Sequence, residues 1–155
     1  MQDYGERPNR LPWPPIIYLA TILATLVLQA AVPYQIDPAW GWRAAGAGLL
    51  AAGIGLDLAA IFTLLHSRTT FRPDRGSAHL VTGGPYAISR NPIYLGNTMA
   101  LLGVAVALDQ PWLVALLPFG TFAVQKLAIE REERHLAAVF GADWDAYRQR
   151  VRRWI

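Results

Sequence analysis

No cysteine occurs among the 155 residues, which excludes disulfide frameworks, thiolate nucleophiles, Cys-ligated zinc and prenyl or palmitoyl anchoring of this chain. Charge is scarce, at 16% of residues against 54% hydrophobic, so a disordered chain is excluded and one domain is expected. Histidine occurs three times, and His66, His79 and His135 share no metal-like spacing. Glu132 and His135 have the i, i+3 spacing of a carboxylate-bridged di-iron ligand pair, but the second pair is lacking, and no metal site is expected. Internal repeats and low-complexity tracts are absent as well. The net charge of +3 and the pI near 9.6 raise nucleic acid as a partner. The hydrophobic residues are too many and too clustered for that, and they indicate a lipid-embedded chain that binds no nucleic acid.

The apolar runs predict an all-α, multi-pass transmembrane helical bundle of about four spans with a C-terminal helical segment outside the bilayer. Residues 13–32 carry no charge, and residues 44–65 are interrupted only by Asp57. Both are long enough for a span, which takes roughly 20 helical residues. Shorter runs cover 92–108 and 111–129, the latter if Lys126 snorkels; Asp109 and Gln110 join them as a tight antiparallel hairpin with Pro111 starting the return. The first run exceeds the hydrophobic region of a signal peptide, about 7 to 15 residues, and lacks a small-x-small cleavage site. Pro8, Pro12, Pro14 and Pro15 form an extended lead-in to it.

Basic residues set the expected orientation. With four spans, only Arg43 of the 14 Lys and Arg residues falls on the opposite side. Arg7, Arg10, Arg68, Arg72, Arg75, Arg90, Lys126 and the C-terminal arginines then share one face, which the positive-inside rule makes cytoplasmic, with both termini inside. Within the second run, Ala44, Gly48 and Ala52, and Ala51, Gly55 and Ala59, recur at intervals of four and are expected to admit another helix closely. Asp57 lies about 13 Å from the end of that run, counted from His66 at 1.5 Å per residue, and is expected to face the bundle. It either binds substrate or acts as a base, or is a neutral carboxyl hydrogen-bonded to a neighbouring helix.

Most polar chemistry falls in segments 69–96 and 130–155. Leu80-Val81-Thr82-Gly83-Gly84-Pro85-Tyr86 reads as an extended piece entering a glycine turn, where a flat ligand can approach the backbone. Asn91 as N-cap and Pro92 at the first helical position open the third run, and a helix N-terminus beside Arg90 suits a carboxylate or phosphate. Beyond Glu132 and Glu133, the residues Leu136, Phe140, Trp144, Tyr147 and Val151 recur at three or four and predict amphipathic turns broken near Gly141.

The stretch from Leu80 to Tyr86 followed, three residues on, by Arg90-Asn91-Pro92-Ile93-Tyr94-Leu95-Gly96 resembles the signature of the isoprenylcysteine carboxyl methyltransferase family. So does Glu132-Glu133 with Leu136, Phe140-Gly141, Tyr147 and Val151 in order. The wider group includes the phospholipid methyltransferases, small multi-span enzymes that use S-adenosylmethionine. Asn91 stands where the carboxyl methyltransferases usually carry histidine, and is more similar to the phospholipid branch. The resemblance implies a methyltransferase acting on a lipophilic small molecule or lipid, either the carboxylate of an isoprenylcysteine-like substrate or a lipid amine.

Physical chemistry and resemblance converge on the same residues for S-adenosylmethionine. Arg90 and the adjoining helix start, with Asn91 and Pro92, suit its carboxylate; Glu132 or Glu133 suits its ammonium or ribose. Gly83 and Gly84 with Leu80 and Val81 suit the adenine, and Tyr86 or Tyr94 the sulfonium through a cation–π contact. Arg90 and Asp57 are the catalytic candidates; an amine acceptor needs a base, for which Asp57 or Glu130 qualifies. Two alternatives stand beside this reading: an NADPH-dependent membrane reductase of the sterol-reductase type, with Arg68, Arg72 and Arg75 for the phosphates, and a non-enzymatic membrane scaffold.

Overall fold

The computed structural model describes residues 12–36, 39–69 and 80–155, and among these the chain is helical with no strand. Arg7, Arg10, Arg72, Arg75, Pro8, His79 and the 70–79 part of segment 69–96 lie outside the described residues, as does the side chain of Arg68. The elements are α1 (Trp13–Ala31), α2 (Trp40–Thr69), a 3₁₀ turn (Gly84–Ala87), α3 (Pro92–Ala107), α4 (Pro111–Val124), a wide π turn (Gln125–Ile129), α5 (Glu130–Phe140) and α6 (Ala142–Arg150).

This is the all-α membrane bundle that the apolar runs predict. Three helices are long and apolar enough to cross a bilayer: α1, α2, and the continuous helix from Pro111 to Phe140. The last has 30 residues, about 45 Å at 1.5 Å per residue, more than a bilayer core of about 30 Å requires, so residues 111–129 alone are nearly long enough for a span. α3 has 16 residues, about 24 Å, and is short for a span. α2 is longer than the 44–65 run, because Trp40, Trp42 and Arg43 extend it at one end and His66 to Thr69 at the other. Polar flanks of this kind are stable in the interfacial layer, where water still satisfies the side chains.

α2 and α3 pack antiparallel along glycines. A Cβ placed on Gly53 would lie 2.6 Å from the Gly96 carbonyl oxygen, and one on Gly103 would lie 2.6 Å from that of Gly46. The packed row on α2 is therefore Gly46, Gly53 and Ala60, which are buried, and its partner row is Gly96 and Gly103. The expected rows through Gly48 and Gly55 lie elsewhere: Ala44, Gly48, Ala51, Ala52, Gly55 and Ala59 are all exposed, and nothing approaches Gly48 or Gly55 within 4 Å. Steps of four advance about 40° around a helix, whereas steps of seven drift only about 20°, so a sustained contact selects the seven-residue row.

α1 packs on α4 through Tyr18, Thr21 and Thr25. The Thr21 and Thr25 hydroxyls donate to the carbonyls of Ile17 and Thr21, each at 2.9 Å, which satisfies them within the helix. α3 and α4 form the expected hairpin. Asp109 takes φ 51°, Gln110 N–H donates to Ala105 at 2.8 Å, and the Asp109 carboxylate accepts from the Ile36 N–H at 2.9 Å.

Candidate functional site

At the basic end of the bundle, residues of the turn before α3, of the start of α3 and of α5–α6 line a cleft of about 1320 Å³, which the C-terminal tail braces from outside its lining. Its construction starts with the tail. Arg90 N–H donates to the Arg152 carbonyl at 3.0 Å, and the Arg153 carbonyl accepts from Ser89 Oγ at 3.2 Å and Asn91 Nδ2 at 3.1 Å. Residues 89–91 are thereby held against residues 152–153. Asn91 occupies the N-cap position as expected, but its side chain makes no capping bond; the amide is spent on the tail.

Behind this junction Trp144, Tyr147 and Val151 form a small apolar core with Leu80, Leu136 and Phe140 packed against it. Tyr147 Oη donates to the Tyr86 carbonyl at 2.6 Å, pinning the 3₁₀ turn to α6. Gly84 takes φ 59° and lies against Thr63 of α2, where a Cβ would be 3.0 Å from the hydroxyl, so both conformation and space favour glycine. Gly141, at φ 49°, makes the corner between α5 and α6.

Leu80, Val81, Tyr86, Arg90, Asn91, Pro92, Tyr94, Glu132 and Glu133 all line the cleft. Gly83 and Gly84 shape the turn but do not line it, and Asp57 stands apart. Asp57 faces the bundle against Gly96, about one helical turn beyond the Pro92–Ile93 floor, with Oδ1 buried and without a hydrogen-bond partner. A side chain on Gly96 would collide with that carboxylate.

The two glutamates occupy different electrostatic settings. Glu133 is gripped by Arg153, with Nη2–Oε2 at 2.7 Å and Nε–Oε1 at 3.1 Å, and is approached by Arg90 Nη1 at 3.3 Å. Among the described residues, Glu132 accepts only from Tyr94 Oη, at 3.1 Å. Burial holds the Glu132 carboxyl above the ordinary range, and the Tyr94 bond and His135 offset this in part. Burial, together with the Glu132 charge, pushes the Tyr86 phenol up to about 12; burial does the same for Tyr147. Glu130 is held below the ordinary range, chiefly by its hydrogen bond from Lys126 at 2.8 Å, and so is a weak base.

Arg90 is the shared element. Its guanidinium lies 5.6 Å from the Trp144 ring centroid, and its Nε is buried without a partner. Arginine over an aromatic face beside one carboxylate retains donors for a second anion. Sequence reasoning missed Arg153, whose signal was confined to the charge count; it treated Trp144 only as an apolar spacing, and Tyr147 as an apolar spacing and a motif position without a role in the site. His135, Asp143 and Arg150 also line the cleft. Among the described residues, no group of three or more His, Asp or Glu residues is placed to hold a metal ion.

The phospholipid methyltransferase family matches residues 42–143, from the start of α2 to the start of α6, and the chain belongs to that family of membrane methyltransferases. It is 30% identical over 133 residues to the nickel-cobalt-cadmium resistance protein NccN of Alcaligenes xylosoxydans xylosoxydans, covering 84% of this chain and 59% of that protein. It is 33% identical over 61 residues to the cobalt-zinc-cadmium resistance protein CzcN of Cupriavidus metallidurans, covering 39% of this chain and 28% of that protein. An uncharacterised protein of Haemophilus influenzae is 32% identical over 63 residues, covering 41% of this chain and 79% of that protein. The chain thus spans about three fifths of the length of the relative that it matches over most of its own.

Proposed function

We propose that this chain is an S-adenosylmethionine-dependent methyltransferase that binds its cofactor in the cleft and methylates a lipophilic acceptor arriving from the bilayer. One observation carries the reading: Arg90 and Glu132, groups of opposite charge each with unused hydrogen-bonding capacity, line one cleft at the end of a membrane bundle. The residues fit the cofactor. The buried, unpartnered Nε of Arg90 suits its carboxylate, Glu132 its ammonium or ribose, and Leu80 and Val81 an adenine. Glu133, held by two arginines, positions Arg90 and is not itself a ligand.

When bound, the cofactor supplies an electrophilic methyl group. The chain's own residues align the reactants and exclude water, which favours in-line displacement. Tyr86 and Tyr94 line the cleft, where aromatic rings suit a cation. The cleft exceeds the roughly 300–1,000 Å³ of single-ligand pockets, leaving room for an acceptor beside the cofactor. Leu64 of α2 and Ile93 of α3 bring apolar side chains into its wall, the side from which a lipid tail would extend. A carboxylate acceptor needs no base; for an amine, Asp57 beneath the floor is the better candidate, since Glu130 is committed to Lys126 and Arg153. The basic end faces the cytoplasm in this reading, where the cofactor is available.

Calorimetric titration of detergent-purified protein with S-adenosylmethionine, its demethylated product and NADPH tests the proposal. The first two should bind, with affinity lowered at least tenfold in Arg90→Ala and in Glu132→Ala. Binding of NADPH alone would replace the reading with a reductase, and binding of none would leave a scaffold.

A further inference from the structure

A second, smaller cavity of about 260 Å³ adjoins the cleft and shares Arg90, Glu133 and Trp144 with it as walls. Its ionisable walls are Arg90, Arg134, Arg148 and Arg153 with Glu130 and Glu133, so four guanidinium groups face two carboxylates. Both carboxylates are already engaged: Glu133 by Arg153 and Arg90, Glu130 by Lys126 and Arg153. Arg134 enters no ion pair among the described residues. Among the same residues Arg148 pairs only with Asp145, at 2.9 Å, and both side chains are more than half exposed. The rim of this cavity therefore carries uncompensated positive charge.

We infer that this cavity is a binding site for a phosphate group, with Arg134 and Arg148 as its principal ligands and Arg153 at its base. Guanidinium groups match phosphate oxygens two at a time, and converging arginines repel one another until an anion sits between them. The depth identifies the natural source. Arg134 is five residues beyond the end of the spanning segment at Ile129, or about 7.5 Å along α5, within the headgroup layer that adds roughly 5–8 Å to each side of the hydrocarbon core. A lipid phosphate can reach it from the bilayer while a free phosphate ester can reach it from water. The site holds whether or not the cleft takes S-adenosylmethionine, because Arg134 and Arg148 do not line the cleft.

Titration of the full chain in neutral detergent separates the two sources, using dihexanoyl phosphatidylglycerol in one arm and inorganic phosphate in the other. Saturable binding of the lipid is expected, weakened about fivefold by Arg134→Gln or Arg148→Gln and about 30-fold by the double variant. Arg131→Gln, on the same helix but outside the cavity, should bind as the parent does. The same pattern with phosphate alone would support the site and make a soluble ester its ligand. Absence of binding in both arms, undiminished binding in the double variant, or an equal loss in Arg131→Gln would overturn the inference. Both rim arginines are exposed, so the variants should keep the parent's circular dichroism.

Discussion

Arg153 grips Glu133 through two guanidinium nitrogens while its own carbonyl receives the side chains of Ser89 and Asn91. One residue near the C-terminus thereby ties α5 to the segment that opens α3, and Arg90 lies between them. The carboxylate that Arg153 holds is 12% exposed, so losing Arg153 would leave a largely buried charge with Arg90 alone, at 3.3 Å.

Arg153→Ala should lower stability by about 2–3 kcal/mol, the range for a charged hydrogen bond whose partner is left buried. S-adenosylmethionine affinity should fall about tenfold with it, because Arg90 loses its support. Arg153→Lys restores charge without the fork and should recover less than half of either loss. Thermal unfolding in detergent and calorimetry measure both quantities; parent-like affinity in Arg153→Ala would remove the positioning role.

The glycine rows of α2 give opposite expectations for the same substitution. Gly53→Ala forces a methyl group toward the Gly96 carbonyl and should cost about 1–3 kcal/mol, with separation of α2 from α3. Gly48→Ala meets open space and should be neutral or stabilise by up to about 1 kcal/mol, the helix-propensity gain. Unfolding midpoints of the two variants decide which face is packed, and a reversed order would restore the rows spaced by four.

Glu132 predicts a pH dependence. Burial raises its folded-state value above 4.5, so the neutral form is the one that folding favours. Its contribution to stability is complete below the unfolded value and is lost as pH rises through the folded value. A cationic ligand prefers the ionised form, so affinity for S-adenosylmethionine should rise with pH across that same interval. Glu132→Gln should flatten the affinity profile and, without ligand at neutral pH, should be no less stable than the parent. A parent-like slope in this variant would assign the titration to another group.

Tyr147→Phe removes the 2.6 Å bond to the Tyr86 carbonyl without removing the ring from its core. A loss of about 1–3 kcal/mol is expected, since the carbonyl is left with reduced satisfaction. Hydrogen exchange should quicken at residues 84–89 and stay unchanged in the α1–α4 contact. Unchanged exchange in the turn would show that packing alone holds it.

The helices were legible because their cause is local. Apolar runs of sufficient length, Pro92 and Pro111 at helix starts and Gly141 at a corner each act within a few residues. The cleft-lining set from Leu80 to Tyr94, with Glu132 and Glu133, was legible through a motif whose spacing survives in this chain. What escaped depends on long-range geometry. Rows through Gly48 and through Gly46 are both rich in small residues, and only the position of α3 distinguishes them. Arg153 lies 20 residues from Glu133, and no helical spacing joins them. The Asn91 amide finds a backbone carbonyl 62 residues away, a partner that carries no side-chain signature.

The π turn at Gln125–Ile129 has the Glu130 N–H bonding to the Gln125 carbonyl, five residues back. The helix there holds one residue more than a regular turn requires. Were that turn to tighten into α-helix with its sequence intact, everything after it would swing by about 100°, and Glu132 and Glu133 would face away from Arg90. Deleting one residue within 125–129 would instead be absorbed, leaving both glutamates in phase. The joint between membrane and cleft thus has a spare tooth: a deletion there leaves the site in phase, whereas a deletion a turn earlier in α4 or later in α5 would put the site out of gear.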